Sequence, residues 1–349
     1  TYKALVVPGA RLMPADVLAK LLDLAKEGAT VVFLDQYPED VPGYVGLERR
    51  RTEFKRALEQ IKKLGNERGK DQTVLFGTDY ARTLAQTAAI PEAMKTSFDL
   101  SCIRRKNTEG YHYFISALTG KDTESWIPLA VPARSAMLYN PMNGSSGKAL
   151  LRQKDGKTEV YLQLASGESA ILKTFTEADV QVPEWKYQTV AQGTVELSGL
   201  WSLRFVESAP AVHSVPDSVS LGSWTDLSFE GAGTTMGTGC YTTAFVIENP
   251  ASAQDWQLSL GDVRESARVR INGREVATLW AVPYCCPIGQ YLRPGKNILE
   301  IEVTNLPANR IADMDRRGVK WRIFKDINIA ALGYKKGTYA GWEPVPSGL

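Results

Sequence analysis

Two histidines, four cysteines and 39 acidic residues are the material from which this 349-residue chain could build a reactive centre. An activated nucleophile needs a base within hydrogen-bond reach and a third group to orient that base. His112 and His213, and Cys102, Cys240, Cys285 and Cys286, all lie after residue 100, and no G-x-S-x-G occurs. Thr78, in the strand-to-helix turn Phe76-Gly77-Thr78-Asp79, is therefore left with no histidine to activate it. His112 alternates with Tyr111 and Tyr113 and reads as a packed or hydrogen-bonded core residue, while His213, in a Ser/Pro/Val-rich loop, reads as solvated. So few histidines, with no repeated C-x-x-C, do not make a zinc site. The cysteines are too few for a disulfide framework and read as buried thiols. Pro8-Gly9-Ala10-Arg11-Leu12 follows the first strand but matches neither G-x-G-x-x-G nor G-x-x-x-x-G-K, which removes the nucleotide-phosphate reading. No residue is assigned as catalytic.

Carboxylates and aromatics remain. Glycoside hydrolysis needs two carboxylates across a sugar, about 5–5.5 Å or about 6.5–9.5 Å apart. Glu109, Asp262, Glu265, Asp313 and Asp315 lie in loops or at strand ends, where a carboxylate is ordinarily a turn residue or a surface charge. Aromatic rings are the more specific signal, because a pyranose stacks its C–H face on an indole or phenol while polar neighbours hold its hydroxyls. Trp280, Tyr284, Trp321 and Trp342 lie near strand ends or loops, with Arg310, Asp313 and Arg316 close by in sequence. Trp280, Tyr284, Arg310, Asp313 and Trp321 are the candidate carbohydrate contacts. The alternative is that these rings pack the fold.

The elements that must position these residues change character along the chain. Up to residue 100, apolar runs (Lys3–Pro8, Thr30–Leu34, Thr73–Phe76) alternate with helical patterns (Pro14–Lys26, Glu48–Leu64, Tyr80–Ala88). Gly28 stops the first helix and Asp79 caps the third, so a small parallel sheet flanked by helices is expected. Residues 101–185 alternate with period two, and Asn143-Gly144 and Asp155-Gly156 mark turns, which predicts an antiparallel β-domain. Residues 186–349 continue as strands with a tight hairpin at Asn272-Gly273 and no helical periodicity, which predicts a sandwich. The fold class is multidomain α/β plus all-β. The 41 basic residues nearly balance the acidic ones, giving +2, and no basic stripe points to nucleic acid. No run of 18 or more apolar residues predicts a membrane span. Thr1 opens a strand rather than a basic-then-apolar leader, as expected of a mature chain or a piece of a longer one.

The order of residues carries a resemblance. Leu260-Gly261-Asp262-Val263, Asn272-Gly273, Leu279-Trp280 with Pro283-Tyr284, and Thr304-Asn305 with Asn309-Arg310 occur within Leu258–Arg310. This segment resembles the galactose-binding-like jelly-roll β-sandwich attached to glycoside hydrolases of families 2 and 106. Leu197-Ser198-Gly199-Leu200-Trp201 and Trp224-Thr225-Asp226 look like its opening strands, and Gly341 to Leu349 like its closing strand. Ile103-Arg104-Arg105, Glu109 and Tyr111 to Ile115 look like the segment after the barrel in family 106, the α-L-rhamnosidase-like enzymes. The first hundred residues look like a degenerate amidotransferase-like α/β domain without its cysteine. Cys285-Cys286, Ala308 and Ile311-Ala312-Asp313 depart from the family wording. The resemblance implies the non-catalytic C-terminal portion of a secreted bacterial enzyme, periplasmic or extracellular. The alternative, on the galactose-binding-like fold and the loop aromatics, is an independent carbohydrate-binding module with no catalytic partner. The enzyme's acid and base would lie in an upstream (β/α) barrel, its partner would be a plant or microbial polysaccharide, and its one expected ion would be a structural calcium.

Overall fold

The computed structural model describes residues 2–66, 72–189, 193–321 and 337–349. The chain divides into two compact units, Thr1–Thr96 and Ser97–Leu349.

In the first unit three short strands, β1 (Leu5–Val7), β2 (Val31–Leu34) and β3 (Val74–Gly77), pair in parallel in the order β1-β2-β3. β2 is central and buried along its length, as the continuous apolar run Val-Val-Phe-Leu requires of a strand covered on both faces. Helices α1 (Ala15–Lys26) and α2 (Leu47–Asn66) share one core with it, through Leu18, Leu22, Phe54 and Ile61 against Val31, Phe33 and Val74. Val32, Leu34 and Leu75 form a second cluster with Leu84 of α3 (Tyr80–Leu84). Gly28, at φ +95°, ends α1 in the left-handed region, where a side-chain-bearing residue would be strained although nothing lies within 4 Å of a built Cβ. Asp79 caps α3 by accepting from Arg82 N–H at 3.0 Å, although that helix stops at Leu84 rather than Ala88. A short helix, α4 (Ala93–Ser97), crosses the division.

The second unit begins with eight strands: β4 (Ser101–Lys106), β5 (Gly110–Ser116), β6 (Thr123–Pro128), β7 (Ser135–Tyr139), β8 (Ser146–Lys148), β9 (Leu151–Lys154), β10 (Lys157–Leu164) and β11 (Ser169–Phe175). They make antiparallel sheets in the orders β4-β5-β11-β7-β8 and β6-β10-β9. Strand alternation buries Tyr113 and Ile115 and turns His112 outward, where its Nδ1 lies 2.8 Å from Asn107 Nδ2. The core placement expected of His112 is thereby corrected. It is hydrogen-bonded, but on the face opposite the buried residues.

Seven further strands follow: β12 (Ser202–Ala209), β13 (Met236–Ile247), β14 (Gln257–Ser259), β15 (Ser266–Ile271), β16 (Arg274–Leu279), β17 (Cys285–Pro287) and β18 (Gly295–Thr304). They form a five-stranded sheet, β12-β13-β18-β15-β16, and a β14-β17 pair. Both contribute to one core, which includes Val269, Ile271, Leu299 and Ile301 from the larger sheet and Leu258 and Cys286 from the pair. The Asn272-Gly273 hairpin has φ +52° and +77°, the double left-handed geometry that Asn-Gly favours. Trp224 is fully buried and its indole N–H donates to Tyr241 Oη at 2.6 Å. The C-terminal residues close the assembly: Gly348 bridges to both Ser223 and Arg264, and Leu349 N–H donates to Tyr241 Oη at 3.2 Å. One expectation fails here. A helix, α5 (Ala308–Arg316), follows β18. Its buried face is small, Asn309 and Ala312, and Asn309 is tied to Val345 by two 2.8 Å hydrogen bonds. Tertiary bonding rather than an apolar stripe holds it.

Candidate functional site

The C-terminal ends of the parallel strands are where an α/β domain would place chemistry. Here Asp35, at φ +66°, accepts from Tyr80 Oη at 2.8 Å, and that bond is the first cause raising the phenol's pKa. Asp79 is committed to its cap, and Thr83 Oγ1 donates to Asp79 O at 2.6 Å. These contacts organise a turn. They bring together no nucleophile and base.

The predicted carbohydrate contacts fall into two groups. Around α5, Arg310 pairs with Asp313 at 2.9 Å and Arg317 reaches the same oxygen at 3.3 Å. Asp315 accepts from Trp321 Nε1 at 2.7 Å, Tyr339 N–H at 2.7 Å and Thr338 Oγ1 at 3.2 Å. Tyr339 lies with its ring centroid 6.3 Å from Trp321 and 4.4 Å from Trp342, whose side is 47% exposed. Asp315 thus holds the Trp321 indole and the Tyr339 backbone, and the Tyr339 ring lies between Trp321 and Trp342 in a shelf that follows the Arg310–Asp313 pair in sequence. Asp315 and Tyr339 complete this cluster and had not been singled out as contacts. Their only sequence signal is proximity to the tryptophans.

Trp280 and Tyr284 lie on the β16–β17 connection. Trp280 is 63% exposed. Tyr284 is corrected: it belongs to the core, and its hydroxyl donates to Glu265 O at 2.9 Å. Burial raises its pKa, the charges of Glu265 and Asp262 adding to the shift. A ring enclosed in this way has no face for a sugar. Behind it, burial pushes the Cys286 thiol up to about 11, with the adjacent Cys285 adding to the shift.

The outer face of the five-stranded sheet holds a groove of about 340 Å³ lined by Thr238, Ser266, Arg268, Thr278, Glu302 and Thr304, with Glu207 and Val206 at one end. Glu302 is engaged by Arg270 at 2.7 Å and Arg268 at 3.5 Å. No group of three or more His, Cys, Asp or Glu side chains is placed to hold a metal ion among the described residues. No helix among them is long and apolar enough to cross a membrane.

No family model matches the chain. A stretch of 160 residues, 43% of the chain, is 29% identical to a protein of Formosa agariphila named "Putative beta-glucuronidase", of which it covers 14%. Among solved structures, the rhamnosidase from Novosphingobium sp. PP1Y aligns with 100% of the chain at TM-score 0.65 and 22% identity, and the chain spans 33% of it. This is a likeness of fold. A beta-glucuronidase of an uncultured Clostridium sp. aligns with 35% of the chain at 18% identity and TM-score 0.29, a level that bears no argument. The chain is thus similar in fold along its whole length to one third of a rhamnosidase, and over 43% of its length in sequence to a protein of which it covers 14%.

Proposed function

We propose that this chain is the accessory, non-catalytic portion of a secreted glycoside hydrolase of the α-L-rhamnosidase type. In this reading it supports a (β/α) barrel outside these residues and contacts polysaccharide through the α5 shelf. The observation that carries it is the whole-chain likeness of fold to one third of a rhamnosidase, with Asp79 committed to a helix cap and Glu302 to an ion pair with Arg270. A hydrolase of this chemistry would need two carboxylates free to act on a bound sugar. The sugar contacts proposed are Trp321 and Trp342 as stacking faces with Arg310 and Asp313 as polar neighbours. The first hundred residues are read as a degenerate amidotransferase-like domain, residues 101–185 as a β-domain, and residues 186–349 as a galactose-binding-like jelly roll. A structural calcium ion belongs to the same reading.

The test is hydrolysis. The 349-residue chain, incubated with aryl α-L-rhamnosides, β-D-glucuronides and β-D-galactosides, is expected to release aryl alcohol at the rate of buffer alone. Turnover on the order of 1 s⁻¹ would be that of an ordinary enzyme and would defeat the proposal.

A further inference from the structure

Asn-Gly occurs twice in the chain, at Asn143-Gly144 and at Asn272-Gly273, and the fold treats the two asparagines in opposite ways. The glycines are alike: φ is +73° at Gly144 and +77° at Gly273, and a Cβ built at either would meet nothing within 4 Å. The difference lies in the side-chain amides. Asn272 is half-buried. Its Nδ2 donates to Tyr291 O at 3.1 Å and to Asn297 Oδ1 at 2.9 Å, and its Oδ1 accepts from Ile298 N–H at 3.0 Å. Asn297 is itself fully buried, so the Asn272 amide is drawn into the sandwich and away from its own following peptide. Asn143 stands instead in the exposed run 141–145, between β7 and β8. Its Oδ1 accepts from Ser145 N–H at 2.9 Å. This is an Asx turn, which folds the side-chain carbonyl back over the peptide that follows it. Among the described residues nothing else holds that side chain.

We infer that Asn143 is a site of covalent self-modification, at which the side chain cyclises onto the Gly144 nitrogen and hydrolyses to aspartate and isoaspartate, while Asn272 is protected. The Gly144 amide nitrogen gives its proton to base in the solvent and bonds to Asn143 Cγ. The Cγ–Nδ2 bond breaks and ammonia leaves. Water then opens the cyclic imide, at Cγ to give aspartate or at the backbone carbonyl carbon to give isoaspartate, so that amide and water become carboxylate and ammonium. Glycine leaves the attacking nitrogen unshielded, and the Ser145 N–H already sits on the oxygen that takes up charge in the attack. The Gly144 N–H must first leave Asn140 O, 2.9 Å away, and a single bond in an exposed turn opens readily. Asn272 must instead break three bonds, each worth roughly a factor of five, which places it about a hundredfold behind. The modified chain loses one unit from its formal charge of +2. Isoaspartate also adds a carbon to the backbone shortly before β8, the edge strand of its sheet. None of this depends on the accessory reading or on any sugar.

The experiment incubates the full chain in mildly alkaline buffer and follows both Asn-Gly peptides by mass mapping, with ion-exchange chromatography for the acidic form and enzymatic methylation for isoaspartate. In the folded chain the Asn143 peptide is expected to convert about a hundredfold faster than the Asn272 peptide, and at least about tenfold faster. In urea, where only the local sequence remains, the two rates are expected to converge. Asn143→Ser, at an exposed position, should remove the first acidic species to appear. The inference is overturned if the folded chain converts Asn272 as fast as Asn143, if the folded ratio persists in urea, or if the same acidic species forms at an unchanged rate in Asn143→Ser.

Discussion

Gly348 is the position at which a single methyl group should do most harm to the C-terminal assembly. Its φ is +101°, and a Cβ there would lie 2.6 Å from Trp224 Nε1, 2.6 Å from Tyr241 Oη and 2.7 Å from Trp224 Cδ1. Those atoms form the buried indole–phenol hydrogen bond to which Leu349 N–H is also attached, so they cannot swing away without breaking it. Gly348→Ala therefore incurs two penalties. Left-handed backbone costs a side-chain-bearing residue roughly 1–2 kcal/mol, and overpacking a close-packed site costs roughly 1–3 kcal/mol. The sum is about 2–5 kcal/mol. Gly261 provides the control, with φ +67° and no atom within 4 Å of a built Cβ, so that Gly261→Ala carries only the first penalty. Any gain from a stiffer unfolded chain is common to both. Hydrogen exchange of the central amides of β13 and β18 would read the difference, expected at about 1–3 kcal/mol. Equal protection in the two variants would refute the claim that the tail is wedged against Trp224 and Tyr241.

Other outcomes follow from the same contacts. Asp315→Ala removes the acceptor shared by Trp321, Thr338 and Tyr339 and should cost the Tyr339 amide about 1.5–3 kcal/mol of exchange protection, the worth of a hydrogen bond to a charged group; unchanged protection would separate the shelf from Asp315. The Arg51 side chain, then the Val41 N–H, hold the Asp40 carboxyl down at about 2. Because the folded value lies below the unfolded one, the stabilisation is complete above the ordinary carboxylate range and is lost as pH falls toward 2. A carboxyl NMR titration should place the midpoint near 2 and raise it in Arg51→Ala, with the Val41 N–H still holding it below the ordinary range, and an ordinary midpoint in the unmodified chain would contradict this. Cys286, buried and raised to about 11, should react with iodoacetamide at pH 8 at least about tenfold more slowly than the half-buried Cys285, because the thiolate is the reacting form. Equal rates by peptide mapping would count against the burial.

Much of the architecture was legible because it is written locally. The apolar run Val31 to Leu34 can only be a strand covered on both sides, and Asn272-Gly273 can scarcely be anything but a hairpin turn. Period two was also readable after residue 100, yet it did not reveal which face of β5 looks inward, so His112 was placed on the wrong side. α5 was missed because its stability comes from Asn309 bonding Val345, 36 residues away, and not from an apolar stripe. Tyr284 looked like a loop aromatic, and only the fold brings Glu265 O to its hydroxyl. The groove was invisible for the same reason. Thr238 and Thr304, 66 residues apart, become neighbours through pairing, and neither is remarkable alone. Among the proposed contacts, the structure joins Arg310 to Asp313 and brings Trp321 into the neighbouring shelf, and it sets Trp280 on a separate edge.

The central claim is that no carboxylates in this chain act as a catalytic pair. The groove tests it most directly, because Glu207 and Glu302 both line it. Hydrolysis of 4-nitrophenyl α-L-rhamnoside and β-D-glucuronide should be followed across pH 4–8 (roughly the span of carboxylate-driven chemistry) for the unmodified chain, Glu207→Gln and Glu302→Gln. The account predicts three rates indistinguishable from buffer. Turnover by the unmodified chain that vanishes in either variant would contradict it.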